Sequence, residues 1–531
     1  MRKVVFKNLS ASYLWKSLLT NGLFSDKIIP LFTGKSFCKF VSSTPSFVRS
    51  NKNKGYGLIS HRLVDHKNSI RIFKIPHPHP YAILCQEIKN SWNEITSIIE
   101  SNWQNKKINA LHVRKMKSNP ECVFCMDYSS RMGEISDILL ENAIGKKYML
   151  RADISNCFPS IYSHSIAWAV VGRKEAFNTR NSNTWYKKLD QAVMNAQEKE
   201  SIGLPIGPHS SNVISDLILS VIDRKLLDNG FNFVRYIDDY QCFTDSKDKA
   251  EEFLVLLSDE LSRMKLIINR KKTMIIELPH RFDHTWLNKI RSFNFSKRNK
   301  SKLIFDDKNY KEIIYFLDYV VELHHEIDDA APLRYSLKML RNSKFSSKAF
   351  LTFEKYVQHL IYLYPYLSDF LYDIYVLKKH YPKETNFIDH MLTLGLEKKL
   401  HGTVSRAIFA ILKFNLTSKN LEESIEQIIE LGDCISLVAL IVYCRKNKLS
   451  LKPFVEFADS IIKAGQTDEY WILIYELYKR NIINQDTIRK YHGWESFRQL
   501  KEGKVTFISG TKSSKTSKTK KSHKVSHDSY F

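Results

Sequence analysis

The stretch Arg235–Phe243, RYIDDYQCF, sets two adjacent carboxylates, Asp238 and Asp239, between the short β-rich runs Phe233–Ile237 and Tyr240–Phe243. Runs of this composition around a polar pair read as a β-hairpin with the acids at its tip. Two like charges so close raise each other's pKa, which is unfavourable unless a cation lies nearby. A solvated turn explains an isolated Asp-Asp pair equally well. Its meaning therefore depends on the rest of the chain.

Upstream, Tyr148–Ile166 reads YMLRADISNCFPSIYSHSI, a strand ending at Asp153 that runs into a turn and helix. Between the two acidic sites, Gly203–Leu226 reads GLPIGPHSSNVISDLILSVIDRKL, a Gly/Pro loop entering a long amphipathic helix. Downstream, Leu266–Ile275, LIINRKKTMI, reads as a strand-like run carrying Asn269, Lys272 and Thr273. Further upstream, Leu58–Gln86 reads as a hairpin around the turn DHKNS, with a Pro-rich exit into a helix. In that exit His77 and His79 alternate with prolines, which forces an extended segment. With no carboxylate beside them they read as a packed turn.

This ordered set of strand-Asp, Gly-Pro loop and helix, Asp-Asp hairpin and Lys resembles the palm of reverse transcriptases. The fold the resemblance implies is α+β, a right-hand polymerase fingers-palm domain followed by an all-α, HEAT-like helical-repeat domain. Its chemistry is phosphodiester synthesis with two divalent ions about 3.5–4 Å apart. All-oxygen ligands suit Mg²⁺, with Mn²⁺ as a substitute. The resemblance gives Asp153 and Asp238 as bridging ligands, the Ile154 carbonyl as a further ligand and Asp239 as the accessory carboxylate. Phe158, five residues after Asp153, stands where the steric gate against a 2′-hydroxyl would be, which implies dNTP substrates. Gly207 and Pro208 would let the backbone approach nucleotide and template, with Ser210, Ser211 and Asn212 opening the helix beyond. Lys272 would act on the pyrophosphate leaving group. In the fingers-like hairpin Arg71 would grip the triphosphate, a task suited to a guanidinium, with Arg62 or His61 assisting.

The phrases CFPSIYSHSIAWAVVGR and GLPIGPHSSNVISDLILSVID, followed by a long helical region, resemble bacterial abortive-infection and defence-associated reverse transcriptases. That resemblance implies an antiphage role and DNA made from an associated non-coding RNA or without a template. It also implies assembly into a homo-oligomer or with a partner defence protein, and in some members priming on a protein hydroxyl such as Tyr530. A mobile-element or group II-type enzyme would carry nuclease, maturase or RNase H segments, and none is apparent. A catalytically silent RNA-binding scaffold would not need Asp153, Asp238, Asp239, Phe158 and Lys272 together. An RNA-synthesising polymerase is disfavoured by the bulk of Phe158.

Composition agrees. The 531 residues include 81 Lys and Arg against 56 Asp and Glu, a formal net charge of +25 that favours a polyanionic partner. Residues 1–60 hold ten basic residues against Asp26 alone, and 501–531 hold eight lysines against Glu502 and Asp528. These charged ends are expected to hold nucleic-acid backbone. The expected zones are a basic extension (1–54), fingers and palm (55–285), helical repeats in place of a thumb (300–500) and a disordered basic tail (510–531). Within the helical zone, Gly432–Leu449 and Thr467–Ile483 share a loose pattern that suggests a helical-hairpin array. Eight scattered cysteines read as reduced thiols, and Cys122-x-x-Cys125 lacks the second pair a zinc ribbon needs. The longest apolar run, Cys434–Cys444, is about half a membrane span. With no secretory signal apparent, a cytoplasmic protein without membrane association is expected.

Overall fold

The computed structural model describes residues 6, 9–49, 54–104, 108, 113–115, 132–178, 183–280, 285–299, 302–377 and 385–509. Cys122, Cys125 and Tyr530, with the whole basic tail, lie outside these. The chain forms two compact units, and neither is continuous in sequence. The first comprises Met1–Ile59, Phe73–Phe282 and Ile461–Phe531, and the second Ser60–Ile72 and Asp283–Ser460. This departs from the four consecutive zones expected. The tip of the first hairpin groups with the helical region, while the last helices return to the polymerase-like part.

The hairpin is formed by β1 (Leu58–Val64) and β2 (Ile70–Pro76). Asp65 organises its turn, accepting from the Lys67 and Ser69 amides at 2.9 Å each. Next in sequence are β3 (Tyr148–Asp153), β4 (Phe233–Tyr236), β5 (Asp239–Thr244) and β6 (Met274–Glu277). These four form an antiparallel sheet in the order β4-β5-β3-β6. Met149, Val234, Tyr236 and Phe243 project from one face and pack with Leu139 and Ala143. Helix Lys247–Arg263 packs on the sheet through Phe253, whose ring lies 5.8 Å from that of Phe233. Helix Ser210–Asp228 runs alongside Lys247–Arg263, with most of its side chains buried.

Lys272 does not lie within a strand as expected. Arg270–Lys272 form a 3₁₀ turn, and β6 starts only at Met274. The Asn269 carbonyl accepts from both the Lys272 amide (3.1 Å) and Thr273 Oγ1 (2.9 Å), which curls the chain before the strand begins.

The first unit is completed by residues near 500. Phe507 packs edge-on against Trp471 and Tyr475 with centroids 5.0 and 5.7 Å apart, and against Phe24 and Phe37. Thr33 N donates to the Phe507 carbonyl at 2.8 Å, and Phe32 bridges Ile508. Gly57 N donates to Asp468 Oδ2 at 2.8 Å. His77 and His79 are both buried here. His77 stacks on Tyr56 at 4.6 Å and on Phe497 at 5.4 Å, and its Nδ1 accepts from the His79 amide. The two histidines are packed as expected, but the segment is not extended: His77 caps helix Pro78–Asn90, whose first turn holds Pro78, His79 and Pro80, where proline's fixed φ and missing N–H are tolerated.

The second unit is mainly helical, as the apolar spacing predicts: Glu312–Ile327, Ser347–Leu363, His401–Phe414 and Cys434–Lys446 all form helices. It also holds a small unanticipated sheet of β7 (Arg298–Asn299), β8 (Lys302–Phe305) and β9 (Lys344–Phe345). Gly395 lets helix Asn386–Glu397 lie close against His401–Phe414, since a Cβ there would fall 2.8 Å from Val404 Cγ2. The two stretches read as successive repeats do not form one array. Cys434–Lys446 belongs to the second unit and Trp471–Lys479 to the first. Among the described residues, no helix is long and apolar enough to cross a membrane.

Candidate active site

Asp153 is the last residue of β3 and Asp239 the first of β5, and the two are direct cross-strand partners. Opposed residues of an antiparallel pair project from the same face, which brings these carboxylates together. Asp238 joins them from the two-residue turn between β4 and β5. Its predecessor Ile237 has φ +62°, a strained conformation for a β-branched residue. One oxygen from each of the three aspartates lies within 4.8 Å of the others. The Ile154 amide donates to the Asp238 carbonyl at 3.3 Å, so the backbone proposed as a ligand runs directly past the turn.

A buried ion network beneath the turn, not anticipated from the sequence, holds it in place. Arg235 is fully buried, and its Nη1 donates to the Ile237 carbonyl at 2.6 Å. Its guanidinium meets Asp223 through Nε (3.1 Å) and Nη2 (2.8 Å), and Asp216 through Nη1 (3.4 Å). Asp223 also accepts from Tyr240 Oη at 3.1 Å and Trp103 Nε1 at 2.8 Å. Burial alone would lower the Arg235 pKa, but the charges around it, Asp223 foremost, raise it instead. The signal was present in the sequence. Asp216 and Asp223 lie seven residues apart, two helical turns, on an otherwise apolar face.

The carboxylate cluster carries uncompensated negative charge. Burial, then the Asp153 charge, pushes the Asp238 pKa up to about 6. Loss of hydration and the Asp238 charge raise Asp239 as well. Lys272 Nζ lies 3.3 Å from Asp153 Oδ2, and Asn269 Nδ2 donates to the same oxygen at 2.8 Å. One exposed ammonium against three acids leaves room for added cations, and an all-oxygen donor set suits Mg²⁺ or Mn²⁺.

Phe158 lies half-buried in the short helix Cys157–Ser160, and its carbonyl accepts from the Leu204 amide at 2.7 Å. That bond ties the segment after Asp153 to the LPIGP loop. In the loop, Gly207 has φ +128°, and a Cβ there would lie 3.2 Å from the Lys74 carbonyl. The Lys74 amide donates to the Ile206 carbonyl at 2.8 Å. The close approach that requires glycine is therefore to the end of β2. Pro208 and Ser210 are buried and Asn212 is half-buried, with Ser210 opening helix Ser210–Asp228. Ser211 Oγ donates to the Pro205 carbonyl at 2.7 Å.

Arg71 and Arg62 are exposed on the hairpin strands. His61, expected to assist them, is instead buried, with its Nδ1 2.8 Å from Asp433 Oδ1. Strand alternation turns His61 inward and Arg62 outward.

Residues 94–309 match the family model described as "Reverse transcriptase (RNA-dependent DNA polymerase)". No curated protein matches the chain. Similar solved structures include apo telomerase from Candida tropicalis, 11% identical with a TM-score of 0.30, over 88% of this chain and 74% of that one. Telomerase from Candida albicans in complex with a TWJ fragment of telomeric RNA is 10% identical, with a TM-score of 0.28 over 89% and 71%. The Candida tropicalis enzyme truncated from its C-terminal domain is 14% identical, with a TM-score of 0.27; 47% of this chain aligns to it, spanning 56% of its length. Residues 94–309 thus match a reverse transcriptase domain, and that match indicates an RNA-directed DNA polymerase, a nucleotidyltransferase.

Proposed function

We propose that this polymerase makes DNA from dNTPs for bacterial antiphage defence, copying an associated non-coding RNA or extending without a template. The convergence of Asp153, Asp238 and Asp239 within 4.8 Å carries the enzymatic part of the reading. The defence role is supported by the sequence phrases around Phe158 and Gly207 and by the helical region that follows the palm.

In this reading Asp153, Asp238 and Asp239 hold two Mg²⁺ ions, aided by the Ile154 carbonyl. The bound ions supply charge neutralisation of the triphosphate and acidification of the primer hydroxyl. Phe158 presents its ring to the sugar edge of the nucleotide and excludes a 2′-hydroxyl. Lys272, already drawn to the cluster by Asp153, delivers positive charge or a proton to the departing pyrophosphate. Arg71 grips the triphosphate, and Gly207, Pro208, Ser210 and Asn212 shape the floor beneath nucleotide and template. Function in the cytoplasm, alone, as a homo-oligomer or with a partner defence protein, belongs to the same proposal.

The deciding experiment sequences the nucleic acid that copurifies with the protein from phage-infected cells and scores plaque formation in parallel. Asp238→Ala should lose both the bound DNA and the protection. A single-transcript cDNA would mark RNA templating, and a low-complexity product template-free extension. DNA persisting on the Asp238→Ala protein would refute the catalytic reading, and unchanged plaque counts with active enzyme would refute the defence role.

A further inference from the structure

Within the second unit, three side chains distant in sequence converge in a setting the polymerase chemistry does not use. His61 projects from β1, His401 is the first residue of helix His401–Phe414, and Asp433 is the N-cap of helix Cys434–Lys446. All three are buried, at 1%, 8% and 0% exposure. One donor atom from each lies within 4.8 Å of the others.

The way these atoms are satisfied is informative. Asp433 Oδ2 accepts from Ser436 N at 2.9 Å and Ser436 Oγ at 2.6 Å, so this oxygen serves the helix N-terminus. Asp433 Oδ1 is left facing the two imidazoles, 2.8 Å from His61 Nδ1 and 3.2 Å from His401 Nδ1. Both imidazoles thus share this one oxygen, His61 through a hydrogen bond and His401 through a looser ion-pair contact.

A metal ion at the centre of these three donors would engage both nitrogens and the shared oxygen at once. With metal–nitrogen and metal–oxygen bonds of about 2.0–2.1 Å, neighbouring donors on a tetrahedral ion stand about 3.3 Å apart. The His401 contact, at 3.2 Å, lies near that edge length, while the 2.8 Å His61 contact is a hydrogen bond that would lengthen as the ion replaced its proton. Two imidazoles and one carboxylate suit a borderline transition ion, whereas Mg²⁺ prefers oxygen alone. Ser436 fixes the carboxylate from behind, as groups behind a metal ligand do.

We propose that His61, His401 and Asp433 bind one divalent transition-metal ion of the zinc class at a structural site separate from the carboxylate cluster of the palm. Burial closes the site to substrates, and water completes the coordination. The ion would clamp the β1 strand to the N-termini of two helices that sequence alone does not connect.

The test uses tag-free, full-length protein stripped with a chelator, dialysed against Zn²⁺ alone and assayed by elemental mass spectrometry. The wild type should retain one equivalent that excess Mg²⁺ does not displace, and should melt at a higher temperature with zinc than without. His401→Gln, with helicity confirmed by circular dichroism, should lose that equivalent and the thermal shift. The double variant Cys122→Ser/Cys125→Ser should keep both, and Co²⁺ in place of Zn²⁺ should give a spectrum free of thiolate charge transfer. Stripped wild type that takes up no zinc would overturn the proposal, as would folded His401→Gln that retains the full equivalent. In either case the triad is a hydrogen-bonded anchor and not a metal site.

Discussion

The acidity of Asp238 couples the candidate active site to pH in a definite direction. With its pKa near 6, protons compete with divalent cations for the cluster as pH falls through that value. Mg²⁺ should therefore raise the melting temperature clearly at pH 8 and weakly at pH 5.5, and Asp238→Asn should abolish the difference. The elevated pKa also means that the charged cluster destabilises the cation-free fold above pH 6 and is relieved below it. Phe158→Ala should increase rNTP incorporation relative to dNTP by about tenfold or more, the scale of a steric discrimination worth roughly 1–3 kcal/mol. Single-nucleotide extension assays measure the ratio, and an unchanged ratio would remove Phe158 from the gate. At this scale the carboxylates were legible because their crowding needs a cation. The role of His61 was not, since its partner Asp433 lies 372 positions away.

Among the elements, the β4–β5 turn depends on the ion network behind it more than on its own residues. Ile237 adopts a left-handed conformation that its side chain disfavours, and Arg235 secures it through its carbonyl. Asp223→Ala should destabilise the protein by about 3–5 kcal/mol, because it strands a buried guanidinium. Chemical denaturation reads that cost, and polymerase activity should fall with it. The sequence displayed both Asp216 and Asp223 on the apolar face of one helix and Arg235 inside the deciding motif. Their pairing needs the packing of that helix beneath the sheet, which local patterns do not encode. The 3₁₀ turn at Lys272 escaped prediction for a similar reason. It forms around Asn269, whose side chain is engaged by Asp153 from a distant strand.

For the whole molecule, two titrations act on the first unit. Burial holds His77 neutral with its pKa lowered to about 3, and lowers His79 to about 4. Both take up protons near pH 6.5 when unfolded but only at lower pH when folded, so they bear on neither state at neutral pH and increasingly favour the unfolded state as pH falls from about 6.5 toward 4. Unfolding free energy should decline over that window, by up to about 1.4 kcal/mol per pH unit for each group. His77→Phe, which keeps the stack on Tyr56 and Phe497, should flatten the slope. Nucleic-acid binding should weaken steeply with salt, and deleting residues 510–531 should make the log–log slope shallower. The fingers-palm part of the fold was readable from motif order, but the division into units was not. Apolar helices such as Trp471–Lys479 carry the same spacing whichever unit they complete.

The return of residues 461–509 to the polymerase unit also sets a timetable for synthesis. A ribosome finishes the palm strands by Glu277, yet Phe507, which packs against Phe24 and Phe37, is made 230 residues later. At about 5–20 residues per second, that delay is on the order of ten to fifty seconds. The nascent chain thus carries its three aspartates through about half of the synthesis of these 531 residues without the core that completes their unit, and the candidate active site should mature only once residues 461–509 have been made.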